Sequence, residues 1–278
     1  MLFYPRRPKA SAQSRLPWPR PPSGRLPARS FGLCLGLWLG AVVVLLPAAP
    51  VAAAEFTAAQ RQAIEAIIHD YLTKNPEVML DALQAAEDKI KADSRGRASE
   101  VLATRRHEIF DDPDAPIAGN PKGDATLVEF FDYRCPYCKQ VEPALEALLK
   151  EDSRIRIVYK EFPILGPQSL IATQVALAAL KQSPQKYARL HAALMSAKGE
   201  LSQDSILKAA ETAGLDVAKI KADMNGRDID ALIKRNYDLA EALNIRGTPA
   251  FVVGSAMSPG AVDLATFKKM VADARKGE

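Results

Sequence analysis

Cys135 and Cys138 are the residues whose type and spacing point most directly to chemistry, because two thiols in a C-x-x-C pattern can pass between dithiol and disulfide. Pro136 and Tyr137 separate them, and the pair lies between a run that predicts a strand and one that predicts a helix. Backbone amides and the helix dipole stabilise a thiolate at a helix N-terminus. We therefore expect Cys135 to be the nucleophile, with a pKa below the ordinary value of about 8.5. Cys138, one turn into the helix, is expected to face the interior and act as the resolving thiol.

The same C-x-x-C pattern also occurs in zinc and iron–sulfur sites, which need about four ligands. The remaining cysteine is among the first 54 residues, and the three histidines, His69, His107 and His191, are distant from the pair in sequence. The pattern therefore favours redox chemistry, with no metal and no cofactor, since electrons would pass through the pair itself. The alternative is a non-catalytic oligomeric binding module whose cysteines bind a soft metal such as Cu(I).

Residues 1–54 differ in composition from the rest of the chain. They contain seven basic residues and no acidic one, whereas the remainder contains 30 basic and 33 acidic residues. The net charge of +4 therefore changes to −3 without them, which argues against a nucleic-acid partner. A basic region over residues 1–30, an apolar run over 31–46 and a small-residue stretch with cleavage near residue 54 predict an export signal. Without cleavage, the apolar run would leave a membrane-anchored form.

Export changes the interpretation of the cysteines, because disulfides persist outside the reducing cytosol. After cleavage only Cys135 and Cys138 would be left. Two thiols three positions apart cannot link distant elements, so a structural disulfide framework is excluded.

Residues 55–110 predict a helical arm. Thr57 and Gln60 form a capping-box pattern at its start, and Asn75-Pro76 predicts the cap of a second helix that runs to about Phe110. The apolar stripe must be buried against something, either its own domain or another copy in an oligomer formed through residues 57–92. Its members are Ile64, Ile67, Ile68, Tyr71, Leu72, Met79, Leu80, Leu83, Ala86 and Ile90.

The rest of the chain alternates strand and helix patterns after a predicted linker at Asp111–Asp124. Strands are predicted at Ala125–Tyr133, Arg154–Phe162 and Pro249–Val253, and a turn at Met257–Gly260. Helices are predicted over residues 136–150, 169–180, 185–197, 202–213, 217–224, 228–243 and 262–276. This order indicates an α/β domain interrupted by a helical insertion.

Three segments, Leu127–Lys139, Phe162–Ser169 and Arg246–Phe251, carry a family resemblance. Over about residues 121–276 the chain resembles the DsbA-like thiol–disulfide oxidoreductases of the thioredoxin superfamily. The implied fold class is α/β, a thioredoxin-like fold with an inserted helical domain at about 167–243, preceded by the amino-terminal helical arm. The segment Ile64–Leu83, with Tyr71–Leu80 at its centre, is similar to the amino-terminal extension of ScsC-like and related DsbA-like proteins, some of which oligomerise through it.

The resemblance implies roles for four further residues. It implies that Pro249 is cis and lies against the cysteines, and that the Thr248 backbone pairs with an extended substrate segment. Glu129 matches a buried acid of the family and would serve as a proton relay for Cys138, with Lys160 as its partner. The alternative for Glu129 is a side chain that faces solvent.

The implied function is a periplasmic enzyme that forms or isomerises disulfides in cysteine-containing secreted proteins, coupled to a DsbB-like or DsbD-like membrane redox partner. Tyr137 stands where strongly oxidising relatives often carry His, and it cannot add cationic stabilisation to the Cys135 thiolate. This predicts a less oxidising pair. Thr248 before the proline is similar to disulfide isomerases, so oxidase and isomerase or reductase activity are both retained as alternatives.

Overall fold

The structure is a computed structural model that describes residues 56–277. The chain divides into two compact units, residues 1–61 and 62–278. In the described part of the first unit, the predicted capping box is present: the Thr57 amide donates to Gln60 Oε1 at 2.9 Å, and the Gln60 amide donates to Thr57 Oγ1 at 3.3 Å. The predicted export signal lies outside the described residues.

Three helices form the amino-terminal part of the described chain: α1, Ala58–Lys74; α2, Pro76–Thr104; and α3, Arg106–Phe110. Pro76 begins α2 as predicted, but Asn75 makes no side-chain cap. Its Nδ2 instead donates to the Tyr71 carbonyl at 2.8 Å, so it closes α1. None of the helices in residues 56–277 combines the length and the apolar character that a membrane crossing requires.

A five-stranded mixed sheet organises the second unit. Its strands are β1, Ile117–Gly119; β2, Ala125–Phe131; β3, Ile155–Glu161; β4, Ala250–Val253; and β5, Ala256–Pro259. The order is β1-β3-β2-β4-β5, with β2 and β3 parallel and the other pairs antiparallel. Helix α4, Pro136–Glu151, connects β2 to β3. The two strands β2 and β3 are buried on both faces, so the charged residues Glu129, Lys160 and Glu161 within them are buried as well.

Two predicted irregular segments are strands. The predicted linker contains β1, whose Ile117 pairs with Val158 of β3, and the predicted turn at Met257–Gly260 is mostly β5, which pairs with β4. Gly119 ends β1 with φ of +74°, and a Cβ there would lie 2.5 Å from the Ile155 carbonyl oxygen. Such short strands are stabilised by backbone pairing with a neighbouring strand of the sheet, which leaves little pattern in their own sequence.

The helical insertion covers the face of the sheet that carries Glu129 and Tyr159. The remaining helices are α5, Pro167–Gln182; α6, Pro184–Ser196; α7, Gln203–Thr212; α8, Val217–Asp223; α9, Arg227–Ala242; and α10, Leu264–Lys276. Within the insertion, α5 is central, and its alanine and valine residues pack without solvent contact. A second, smaller core lies on the opposite face of the sheet, where the end of α2, α3 and α9 cover Val128, Phe130 and Val158.

Candidate active site

The turn between β2 and α4 is held by the buried side chain of Asp132. Its Oδ1 accepts the Arg134 amide at 2.8 Å, and its Oδ2 accepts the Leu165 amide at 3.0 Å. The Asp132 carbonyl also accepts the Cys135 amide at 3.0 Å. These bonds fix the position at which Cys135 enters α4. Sequence reasoning missed Asp132, although an Asp two residues before a turn amide is a recognised local signal.

Both thiols are free and buried, but their surroundings differ. Cys135 is the N-cap residue of α4 and is 4% exposed, whereas Cys138 is fully buried one turn further along. Pro136 takes the first helical position, where a missing amide costs little. The Tyr137 side chain is 60% exposed, so it presents an aromatic ring to solvent between the two cysteines in sequence.

The hydrogen bond between the two thiols makes their acidities unequal. The Cys138 thiol donates to the Cys135 sulfur and, with the backbone amides of Cys138 and Tyr137, lowers the pKa of Cys135 to about 6, although burial acts in the opposite direction. The same hydrogen bond, then burial and the charge of Glu129, raise the pKa of Cys138. At neutral pH the pair therefore carries one thiolate, at Cys135.

The loop before β4 contacts the nucleophilic sulfur. The peptide bond between Thr248 and Pro249 is cis, as the resemblance implied. The Thr248 carbonyl oxygen lies 3.2 Å from Cys135 Sγ, across 113 positions of sequence. The structure thus brings Cys135, Cys138, Thr248 and Pro249 together at one end of the sheet.

Glu129 is fully buried on β2, so the alternative of a solvent-facing side chain is wrong. Neither of its carboxylate oxygens has a hydrogen-bond partner among the described residues. Burial, then the charges of Glu142 and Cys135, raise its pKa well above the ordinary value for a glutamate. A carboxyl group in this state is a stronger base than an exposed one, and it lies close enough to influence both cysteines electrostatically.

The predicted pairing of Glu129 with Lys160 is wrong. In the β2–β3 register Glu129 is opposite Tyr159, while Phe130 is opposite Lys160, so the two charged side chains point to opposite faces of the sheet. Lys160 Nζ instead donates to Asp112 Oδ2 at 2.6 Å, and this ion pair is almost completely buried. Lys160 therefore connects the sheet to the segment before β1.

A buried polar cluster next to Glu129 was not predicted. The Tyr133 hydroxyl and His191 Nδ1 are 3.1 Å apart, and His191 Nε2 lies 3.7 Å from Glu142 Oε1. Tyr187 donates to Glu161 Oε1 at 3.1 Å, and burial raises the pKa of Glu161 to about 7. His191 is distant from the cysteines in sequence, which argued against a role beside them, yet α6 brings it into this cluster.

No group of three or more His, Cys, Asp and Glu side chains that could hold a metal ion occurs within residues 56–277. The strand–turn–helix position of the C-x-x-C pair, the cis-proline loop beside it and the helical insertion define a thioredoxin-fold redox protein. The chain belongs to the DSBA-like thioredoxin domain family, which matches residues 126–272. Residues 60–92 match the copper resistance protein ScsC N-terminal domain. The predicted family and fold class are therefore confirmed.

Solved structures agree with this assignment. A thioredoxin-like oxidoreductase from Silicibacter pomeroyi is 42% identical, with a TM-score of 0.60, over 62% of this chain and 99% of that one. Proteus mirabilis ScsC in a transitional conformation is 31% identical, with a TM-score of 0.60, over 80% of this chain and 98% of that one. The second alignment extends into the helical arm.

Curated relatives match half of this chain or somewhat more. The thiol:disulfide interchange protein DsbA of Bordetella parapertussis is 30% identical over 143 residues, or 50% of this chain and 68% of that protein. A Na⁺/H⁺ antiporter of Salinispora arenicola is 30% identical over 60% of this chain. The chain spans only about a quarter of the length of that antiporter and of its Salinispora tropica counterpart. The match to DsbA places the chain among proteins named for thiol–disulfide exchange.

Replacing Cys138 by Ala tests the origin of the acidity of Cys135. The ultraviolet absorbance of the thiolate should titrate with a midpoint near pH 6 in the unmodified protein. In Cys138→Ala the midpoint should rise by about one unit or more, because the thiolate loses its principal hydrogen-bond donor. Tyr137→Phe keeps the backbone amide and is the matched control. An unchanged midpoint in Cys138→Ala would show that the helix N-terminus alone sets the pKa.

Proposed function

We propose that this chain is an exported thiol–disulfide oxidoreductase that acts on cysteine-containing secreted proteins through Cys135 and Cys138. The observation that carries the proposal is the asymmetry of the pair. Cys135 is a thiolate with a pKa of about 6 that lies beside the Thr248 carbonyl, and Cys138 is a fully buried thiol of raised pKa. This is the arrangement that a nucleophile and a resolving thiol need.

Thiol–disulfide exchange conserves atoms and electrons without a cofactor. The Cys135 thiolate attacks one sulfur of a substrate disulfide, forming a mixed disulfide and releasing the other substrate sulfur as a thiolate. Cys138 then loses its proton and attacks Cys135, which closes the Cys135–Cys138 disulfide and releases the second substrate thiolate. Two electrons pass from the cysteine pair to the substrate. The reverse sequence oxidises a substrate dithiol.

The loop of Thr248 and Pro249 is proposed to hold the substrate during attack. The Thr248 carbonyl lies against the Cys135 sulfur, so an extended segment paired with this backbone would bring its own cysteine to the nucleophile. Pro136 and Tyr137 complete the surface, with the exposed Tyr137 ring able to contact the substrate. Because these contacts involve mainly backbone, they suit substrates of varied sequence.

The direction of exchange depends on the stability of the Cys135 thiolate. A pKa of about 6 lies between the values of roughly 7 for thioredoxin and 3.5 for DsbA, which supports a pair less oxidising than a strong oxidase. The proposal therefore includes oxidation and isomerisation or reduction, with a DsbB-like or DsbD-like membrane protein restoring the pair. Alkylating the free thiols in intact cells would show which redox form predominates.

Cu(I) binding by the two thiols is the second candidate function. It is supported by the match of residues 60–92 to a domain named for a copper resistance protein, and by the closeness of two soft ligands. In that case the protein would be a binding module, and thiol exchange would be incidental.

Single cysteine variants distinguish the two candidates. Cys135→Ala should reduce insulin reduction and the reactivation of scrambled ribonuclease to the uncatalysed rate, because the attacking sulfur is absent. Cys138→Ala should accumulate mixed disulfides with substrate, because the resolving sulfur is absent. These species are visible as adducts on non-reducing gels. Turnover by the unmodified protein that does not exceed the uncatalysed rate, together with tight Cu(I) binding that Cys135→Ala abolishes, would instead support the binding module.

Glu129 is proposed as the proton acceptor for Cys138, because it is a buried base that influences the Cys138 pKa. Glu129→Gln should slow resolution of the mixed disulfide by about 10²-fold, the lower range for loss of a positioned proton acceptor. Loss of the negative charge alone would lower the pKa of Cys138 and accelerate the resolution step. A slower rate would therefore indicate loss of the proton acceptor. The rate of initial attack by Cys135 should change much less.

Rapid-quench measurements of the mixed disulfide at about pH 5–8 follow this step directly. Glu146→Gln, on the exposed side of α4, is the matched control. Rates in Glu129→Gln that equal those of the unmodified protein over the whole pH range would exclude the relay.

The exposed apolar residues of the arm are proposed to form contacts between copies. Every residue of α1 is unburied, and Ile67, Leu80 and Leu83 are each more than half exposed. Such a continuous apolar surface is costly in water, which supports helix–helix oligomerisation through residues 57–92. Of the two sequence-based alternatives for the stripe, packing onto its own domain does not account for these exposures.

A charge in the apolar face should separate the copies. Leu83→Asp should convert the oligomer to a monomer in sedimentation experiments, because burying an unpaired carboxylate is unfavourable. Ala85→Asp places the same charge on the opposite side of α2 and should leave the oligomer intact. A monomeric unmodified protein would contradict the proposal, as would an equal effect of both substitutions.

A further inference from the structure

A groove of about 710 Å³ begins at the cis-proline loop and runs between α2 and the edge of the sheet. Thr248 and Pro249 line one end of it, and Met257 and Ser258 of β5 line its side. The carbonyl of Thr248, one of the groove residues, lies 3.2 Å from the Cys135 sulfur, so this end of the groove is next to the reacting atoms. The other wall belongs to the arm helix α2, which the DSBA-like domain itself does not include.

The groove walls are positively charged. Lys91 and Arg95 project from α2, Arg246 projects from the loop before Thr248, and no acidic residue lines the groove in the described part of the chain. Arg95 and Arg246 form no ion pair within residues 56–277, and Arg246 donates only to the neutral Asn244 side chain at 3.0 Å. Lys91 has a single long ion pair, 3.5 Å, with Glu87 of its own helix. Three cations are thus available to a ligand.

The two walls are joined next to these cations. Asn244 Nδ2 donates to Ser94 Oγ of α2 at 2.8 Å, across 150 positions of sequence. Ser94 and Asn244 both line the groove. This bond positions the arm helix so that Lys91 and Arg95 face the same space as Arg246.

The side of the groove presents unpaired backbone groups of a strand as well as charged side chains. β5 is the last strand in the order β1-β3-β2-β4-β5, so its outer edge is unpaired by any strand of the described sheet. An extended segment can pair with such an edge. In the loop before β4, a Cβ at Gly247 would meet no atom within 4 Å, so the groove is open at this residue.

From this juxtaposition we infer that the groove selects substrate segments that are extended and acidic next to their reactive cysteine, with Lys91 and Arg95 of the arm as specificity determinants. The inference rests on the proposed function and deepens it by naming the substrate class. Opposite charge would accelerate encounter and orient the segment, whereas the Cys135–Cys138 chemistry would be the same for every substrate. The arm would therefore contribute to substrate choice independently of any role between copies.

Matched peptides test this inference. Each carries one cysteine in a disulfide with neutral mercaptoethanol, and the residues beside it are glutamates, glutamines or lysines. Rates of attack by the full-length reduced protein are divided by its rate with neutral hydroxyethyl disulfide. We expect the glutamate peptide to react roughly tenfold faster than the lysine peptide at low ionic strength, with the difference shrinking as salt is added.

Charge-reversal variants test whether the peptide preference arises at this groove. Lys91→Glu combined with Arg95→Glu should reverse the preference toward the lysine peptide, and Lys89→Glu, on the opposite side of the same helix, should leave it unchanged. Equal rates for all peptides would overturn the inference and leave the proposed function standing, whereas no reaction even with hydroxyethyl disulfide would overturn both. A preference that survives the double substitution would overturn the assignment to this groove. If Lys91→Glu combined with Arg95→Glu changes the sedimentation of the protein, the face would be assigned to contact between copies. This result would also overturn the inference.

Discussion

The unequal hydrogen bond between Cys138 and Cys135 at the first turn of α4 is the interaction on which the proposed function depends. It lowers the pKa of one thiol and raises that of the other, so that a single thiolate exists at neutral pH. The bond forms only if α4 begins at the correct residue. Asp132 ensures this by accepting the Arg134 amide of the turn and the Leu165 amide of the loop after β3. Asp132, at the buried end of β2, thus fixes the position of the Cys135 thiolate, which the local sequence alone would not fix.

The helical insertion provides the low-dielectric environment in which these differences are large. It buries Glu129, His191 and Glu161 on the same face of the sheet as Cys138. A buried carboxyl without a hydrogen-bond partner is unfavourable for stability, and proteins tend to retain such groups where a shifted pKa is useful. On the other face, the ion pair of Lys160 and Asp112 is buried among apolar residues and connects the segment before β1 to the sheet. One face of the sheet therefore carries the buried titratable groups near the cysteines, and the other carries a structural ion pair.

Helix α2 presents two different surfaces. Its first half carries exposed apolar residues such as Leu80 and Leu83, and its second half carries Lys91 and Arg95 beside the cis-proline loop. Leu102, near its end, is buried against the catalytic domain, which keeps the cationic part close to the active site. One continuous helix thus connects the surface proposed for contact between copies with the surface proposed for substrate choice.

The sequence by itself determined the redox pair, the order of the main elements and the family, because these follow from short motifs and from hydrophobic periodicity along one element. It also indicated Pro249 and the burial of an acid at Glu129. Only the tertiary structure decided that Lys160 lies on the opposite face from Glu129, since one position of strand register separates the faces. It also decided that Asp132, His191 and Ser94 have partners 33, 58 and 150 positions away. Contacts of this kind arise when packed elements meet, and no pattern within a single element encodes them.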